Sequence, residues 1–238
     1  MNTNHLYRVD VPNLNGSIVD TNIFNENHPE YYNIFLPIMQ VITDTSSATN
    51  LSIASTFAMA NTVINCYTLY EQDIKNDCFS YNGTHIPSII IKSILAVFSK
   101  HYQQKKLHFH FNAWNPLHLS CIYPYCYEAI RLYLNQQGKS IRTGRLNSAY
   151  FFTNTNDCQY YIKTQGISFA QIYNIDIIEE YASFKGDMNW LEQLEIETFT
   201  SKDIIQSATK YWSGELTNKP IIEILFHGKY QLNLNSAT

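Results

Sequence analysis

A single carboxylate, Glu223, interrupts the run Ile221-Ile-Glu-Ile-Leu-Phe226. A charge among such neighbours is awkward on a surface strand unless it faces a polar cleft. Other residues are candidates for chemistry by type and spacing. His108 and His110, at i and i+2, would present both rings from one face of a strand and could ligate a metal, but the sequence offers no suitably spaced third ligand, so the pair reads as structural. Cys121 or Cys126 could serve as a nucleophile with His118, yet the local signatures of cysteine hydrolases are missing. Glu128 and Arg131 lie three apart in a helical stretch and suit a local ion pair as well as an active-site contact.

The elements that must position these groups follow from pattern. His5–Val11 reads as a short strand closed by Pro12, and an Asn-rich loop runs on to about Pro29. Tyr31–Tyr70 is helical in pattern, with Pro37 and the Thr/Ser/Asn cluster at 43–50 as breaks. Within it Ala54, Phe57, Ala58, Asn61, Val63, Ile64 and Tyr67 are spaced for one buried face. Ile86–Tyr102 reads as a further helix with Pro87 in its first turn, and His108–Asn112 as a strand or extended connection. Pro124–Gln137 forms a helix closed by Gly138. The character then changes: Ser148–Phe152, Ser168–Ile178 and Pro220–Leu234 are β-type runs, divided by a helical stretch at Thr200–Tyr211. Helices first and strands later, with an N-terminal strand to join the sheet, predict an α+β fold in one domain over 1–238.

Composition narrows the function classes. Apolar residues make up 45% and charged residues 15% of the 238, a balance that buries a core and does not belong to a disordered chain. A formal charge of −4 with only four Arg argues against nucleic acid as a partner. Five Cys without C-x-x-C spacing favour a reducing compartment over a disulfide scaffold or zinc ribbon. The opening MNTNHLYRVDVP lacks a basic and an apolar region, so the expectation is no signal peptide and a product cytoplasmic as synthesised. Ile89–Phe98 is too short an apolar stretch to span a bilayer.

Arg145-Leu-Asn-Ser-Ala-Tyr-Phe-Phe-Thr153, followed by a polar stretch and Tyr160-Tyr161, resembles the second core strand of ADP-ribosyltransferases. Leu6-Tyr7-Arg8-Val9 resembles the first core strand of their Arg-Ser-Glu branch. Tyr211-Trp-Ser-Gly214 and Pro220-Ile-Ile-Glu-Ile-Leu-Phe-His-Gly228 resemble the segment where a catalytic Glu opens a strand, with a Gly turn and a return strand over Lys229–Leu234. Joined to Glu128, Arg131 and Gly186-Asp-Met-Asn-Trp190, the series resembles a bacterial branch with effector or toxin-like members. It covers roughly residues 120–235 and the first strand.

The resemblance implies a small mixed sheet, with an inserted, largely helical region over about 31–138 and a sheet-rich core over about 145–235. It implies an enzyme that moves ADP-ribose from NAD to a protein acceptor and releases nicotinamide. The need in that chemistry is to stabilise a ribosyl oxocarbenium ion, since nicotinamide is already a good leaving group. Glu223 would supply the charge, Ser148 would steady it or a ribose hydroxyl, and Arg8 would hold phosphate or ribose with its planar fork. NAD contacts would come from Arg8, Arg145, Asn147, Ser148, Tyr150, Phe151, Phe152 and Trp212, though only alternate side chains of one strand share a face. Trp212 stands either at the cleft mouth against the acceptor or in the core. Glu195-Ile-Glu197 matches the two-Glu motif of arginine-modifying relatives but lacks the following return strand; Ile221 departs from that motif at Glu223. No metal is implied. The helices from Tyr31 to Lys100 would cover one side of the cleft or recognise the target, and delivery into another cell by a signal-independent route would fit. Two other readings share the fold: an NAD glycohydrolase, and an inactive binding or adaptor module.

Overall fold

Residues 5–23, 29–102, 123–192 and 200–235 are described by a computed structural model. Their strands are β1 (Leu6–Asp10), β2 (Ile18–Asp20), β3 (Ser80–Tyr81), β4 (Thr84–His85), β5 (Ala149–Phe152), β6 (Gln171–Asp187) and β7 (Ile222–Leu234). Their helices are α1 (Pro29–Thr49), α2 (Ile53–Asn65), α3 (Tyr67–Lys75), α4 (Ser88–Tyr102), α5 (Tyr123–Gln136), α6 (Thr155–Thr164), α7 (Asn189–Glu192) and α8 (Ser201–Ser213). The chain is α+β. It divides into two compact units, one formed by Met1–Pro29, Tyr133–Glu192 and Ala208–Thr238, the other by Glu30–Leu132 and Gln193–Ser207.

The first unit is organised by β6 and β7, which pair antiparallel from Tyr173↔Leu234 to Asp187↔Ile222. The other edge of β7 takes β5 and β2, while β1 pairs with both β5 and β6. The pairings β5–β1–β6–β7–β5 therefore close a ring, with β2 added on β7. Alternation gives this sheet two apolar faces. Ala149, Phe151, Tyr173, Ile175, Phe226, Tyr230 and Leu232 pack on one; Phe152, Cys158, Ile172 and Met188 pack on the other with Tyr7, Val9, Tyr161, Ile162 and Ile221.

Several boundaries depart from the pattern reading. The Asn-rich segment before Pro29 contains β2. No turn separates Glu223 from a return strand: β7 runs unbroken through Gly228. A Cβ there would lie 2.1 Å from the carbonyl oxygen of Glu179 and 2.7 Å from the Phe226 ring. That glycine serves close approach beside two register shifts in β6, at Ile177/Glu179 and Glu180/Ala182.

In the second unit, α1 passes through Pro37 and through the Thr/Ser cluster expected to break it. Ile38, Met39 and Ile42 are fully buried after the proline. The hydroxyls of Thr43 and Thr49 donate back to the carbonyls of Met39 and Thr45, both at 2.8 Å, so the helix satisfies them without ending. It ends at Asn50, whose φ of 63° is left-handed. Ser52 then caps α2, accepting from the Ser55 amide at 3.1 Å. The buried side of α2 is Ile53, Thr56, Phe57, Met59, Ala60 and Val63, while Ala58 and Asn61 are exposed, so the predicted face is displaced around the helix. Asn82 and Gly83, both at positive φ, turn the unpredicted β3–β4 hairpin. Gly138 (φ 90°) follows α5 as expected. Among the described residues no helix is long and apolar enough to cross a membrane.

Candidate functional site

Glu223 is the second residue of β7 and lies opposite Phe152 on β5 and Gly186 on β6. Directly opposed residues of antiparallel strands point to the same face, so Glu223 shares a face with Tyr150, Phe152 and Leu225. Its side chain is fully buried, and its charge is matched by Arg145, from a 3₁₀ turn over Arg145–Asn147 that leads into β5. Arg145 Nη1 donates to Glu223 Oε1 and, at 2.9 Å, to the Tyr211 hydroxyl. Tyr211, on α8, donates in turn to Glu223 Oε1 at 2.5 Å. The three groups form a closed triangle on one carboxylate oxygen. Among the described residues the other oxygen, Oε2, is buried with no hydrogen-bond partner.

Each member is held from behind. The Arg145 guanidinium carbon lies 5.1 Å from the ring centroid of Tyr150 and 5.4 Å from that of Tyr211, inside cation–π range. Tyr150 also donates its hydroxyl to the Arg145 carbonyl at 2.6 Å. Ser148 donates to the Gly144 carbonyl at 2.5 Å, which ties down the turn carrying Arg145. Tyr211 packs closely on β6 because Gly186 has no side chain: a Cβ there would come within 2.4 Å of the Tyr211 ring. Burial opposes the charge of Arg145, but Glu223, Tyr211 and Tyr150 together outweigh it and hold the guanidinium well above its ordinary range. Burial, then the Glu223 charge, push the Tyr211 phenol well above the ordinary tyrosine range, so it stays a donor.

A second carboxylate, Glu192, ends α7 beside this triangle. Both of its oxygens are buried, and among the described residues neither makes a hydrogen bond of regular geometry. Burial raises its carboxyl above the ordinary range; Tyr160 opposes the rise, Glu223 adds to it and Arg145 opposes it. Asp187, wholly buried, pins the segment leading into β7. It accepts from the Asn189 amide, from the amide and hydroxyl of Thr217, and from the Ile221 amide, at 2.7 to 3.1 Å.

The sequence-predicted residues divide. Arg145, Tyr150 and Phe152 come together with Glu223. Ser148 is buried nearby, its hydroxyl committed to Gly144. Asn147 lies in the 3₁₀ turn, its Oδ1 buried without a hydrogen-bond partner among the described residues. Phe151 points to the opposite face, stacked on Phe226 with ring centroids 5.0 Å apart. Arg8 lies on that opposite face too, since Tyr7, not Arg8, pairs with Phe152. Its Nε donates to Asp10 at 2.7 Å and its guanidinium stands 5.7 Å from the Tyr230 ring centroid. Arg8 and Glu223 are therefore not brought together. Trp212 is buried against Phe184 and Tyr211, with centroids 4.9 and 4.8 Å apart, a core position and not a cleft mouth. Glu128 and Arg131 form a buried ion pair within α5, Arg131 Nε donating at 2.7 Å. His108, His110, His118, Cys121, Glu195 and Glu197 lie outside the described residues; Cys126 falls within α5. Tyr211 and Gly186 stand in the quoted motifs without a role at Glu223, and Glu192 is not singled out, because only strand register and the seating of α8 bring them to Glu223.

Fold and site together define an α+β protein whose sheet unit encloses a buried Arg–Tyr–Glu triangle with a second carboxylate beside it. A family model described as "Protein of unknown function (DUF2441)" matches residues 24–234, and the chain belongs to that family. No curated protein matches it.

Proposed function

We propose that this protein transfers ADP-ribose from NAD to a protein acceptor, with Glu223 as the catalytic carboxylate. The observation that carries the reading is the asymmetry of that carboxylate. Oε1 is locked by Arg145 and Tyr211, while among the described residues Oε2 is a buried acceptor without a partner. A charge fixed in this way is preorganised for a cation that develops beside it. The orphaned oxygen suits a ribose hydroxyl, and Tyr150 and Phe152 on the same face suit the nicotinamide ring. The resemblance of the strands around Arg145 and Glu223 to ADP-ribosyltransferases points the same way. In this reading Arg145 takes the place first expected of Arg8. It orients Glu223, and its guanidinium is not available to grip phosphate while that pair is intact. Delivery as an effector or toxin belongs to the same proposal. With water in place of the acceptor the same groups would make an NAD glycohydrolase.

One observation favours a different reading. Glu223 is wholly buried under Arg145 and Tyr211, as a structural ion pair would be, and the protein would then be an inactive binding module. Alkynyl NAD added to a cell lysate with the protein separates the three. A transferase labels a protein band, a glycohydrolase releases nicotinamide without labelling, and a binding module does neither.

A further inference from the structure

A nucleophile that attacks the ribose carbon must give up a proton, and in the Glu223 triangle no group is free to take it. Oε1 already accepts two donors, Oε2 is engaged by the ribose hydroxyl in the reading above, Tyr211 is a buried donor and Arg145 is a cation. We propose that Glu192 is the base that accepts this proton and that Tyr160 conducts it to solvent; the inference rests on the reading of Glu223 as the catalytic carboxylate for NAD.

The placement of Glu192 carries the argument. It closes the single turn of α7, directly after the β6 end that faces Glu223. Its two oxygens are buried and lack regular hydrogen bonds among the described residues, so neither is committed to holding the fold. Among the described residues the titratable and charged groups that act on it are Tyr160 and Tyr161 from α6, Glu223 from β7 and Arg145 from the 3₁₀ turn. The two tyrosines differ in use. Tyr161 packs its ring 5.3 Å from Phe152 in the apolar face. Tyr160 is 39% exposed and its phenol interacts with the Glu192 carboxylate, so one side chain meets both the buried acid and the solvent. Burial lifts the Glu192 carboxyl above the ordinary range, which makes its anion a stronger base than a surface carboxylate.

The ribose C1′–nicotinamide nitrogen bond breaks and its electron pair leaves with nicotinamide. A lone pair of an O–H or N–H nucleophile forms the new bond to C1′. The proton of that nucleophile passes to ionised Glu192, and from there through the Tyr160 hydroxyl to water.

The test is the pH dependence of nicotinamide release at saturating NAD, with NAD affinity measured separately by calorimetry. In the wild type the rate should rise with pH through a midpoint above the ordinary carboxylate range. Glu192→Gln should bind NAD as before, lose roughly 10²- to 10⁴-fold in kcat and lose that rise. Glu192→Ala should regain rate when formate is added. Tyr160→Phe should slow turnover while keeping the midpoint. If the wild type turns NAD over and Glu192→Gln keeps the rate or the pH profile, or loses affinity instead of kcat, the inference falls and the reading of Glu223 survives. If the wild type releases no nicotinamide, both fall.

Discussion

Glu223 and Arg145 are bound to each other's stability. A buried pair of opposite charges contributes little net against an apolar pair, but removing one partner strands the other, at a cost of about 3–5 kcal/mol. Glu223→Gln should therefore lower the melting temperature as well as activity, because neutral Gln leaves the Arg145 guanidinium buried without its counter-charge. The double variant Arg145→Met/Glu223→Leu should recover most of that stability while remaining inactive; thermal melts of the two variants check this. Glu192 predicts a pH effect of opposite sign to the usual carboxylate. Its folded-state carboxyl lies above the ordinary range, so the folded state binds more protons than the unfolded one between the two values. Stability then falls as pH rises from the ordinary carboxylate range through the folded value. Glu192→Gln removes that loss, and its melting temperature relative to wild type should rise on going from acid to neutral pH. At this scale the sequence exposed Glu223 clearly, since a lone charge among five apolar neighbours has few places to go. It does not show which arginine meets Glu223. Arg8 lies within β1 and Arg145 just ahead of β5, and only the register Tyr7↔Phe152 puts Arg8 on the far face.

Elements were legible where their own chemistry defines them. The limits of β1, β5 and α8 fall within a residue or two of the pattern reading. So does the close of α5 at Gly138, where a left-handed residue is wanted. Failures came where tertiary contacts decide. Pro37 and the Thr/Ser cluster carry strong breaker signals, but apolar burial and back-bonded hydroxyls override them in α1. Gly228 was read as a turn because sequence cannot distinguish a glycine that bends from one that admits a neighbouring carbonyl. Gly186 is the glycine on which the site depends. Gly186→Ala would drive a methyl group into the Tyr211 ring, and overpacking of this kind costs about 1–3 kcal/mol. The variant should also lose activity out of proportion to its melting temperature, since the displaced phenol no longer orients Glu223. Trp212→Ala, by contrast, should destabilise the fold by roughly 3–5 kcal/mol and depress NAD binding and every activity in parallel. Loss of protein labelling alone, with an unchanged melt, would return Trp212 to the acceptor.

For the molecule as a whole, the order of helices and strands was enough to give α+β, because each segment's period shows the layer it builds. The closed ring of pairings was not visible, since it depends on β6 and β7 each running far beyond their apolar centres and bending at the shifts near Glu179 and Ala182. The same closure brings Tyr211, Gly186 and Glu192 to a carboxylate from which they are separated by 12 to 37 positions. The central claim is that this enclosure is an active site and not a structural ion pair. It is tested most directly by chromatographic measurement of nicotinamide released from NAD by the wild type and by the Arg145→Met/Glu223→Leu variant. The wild type is expected to release nicotinamide and the double variant none above the uncatalysed rate, at closely similar melting temperatures. Equal release by both proteins, or none by either, would contradict it.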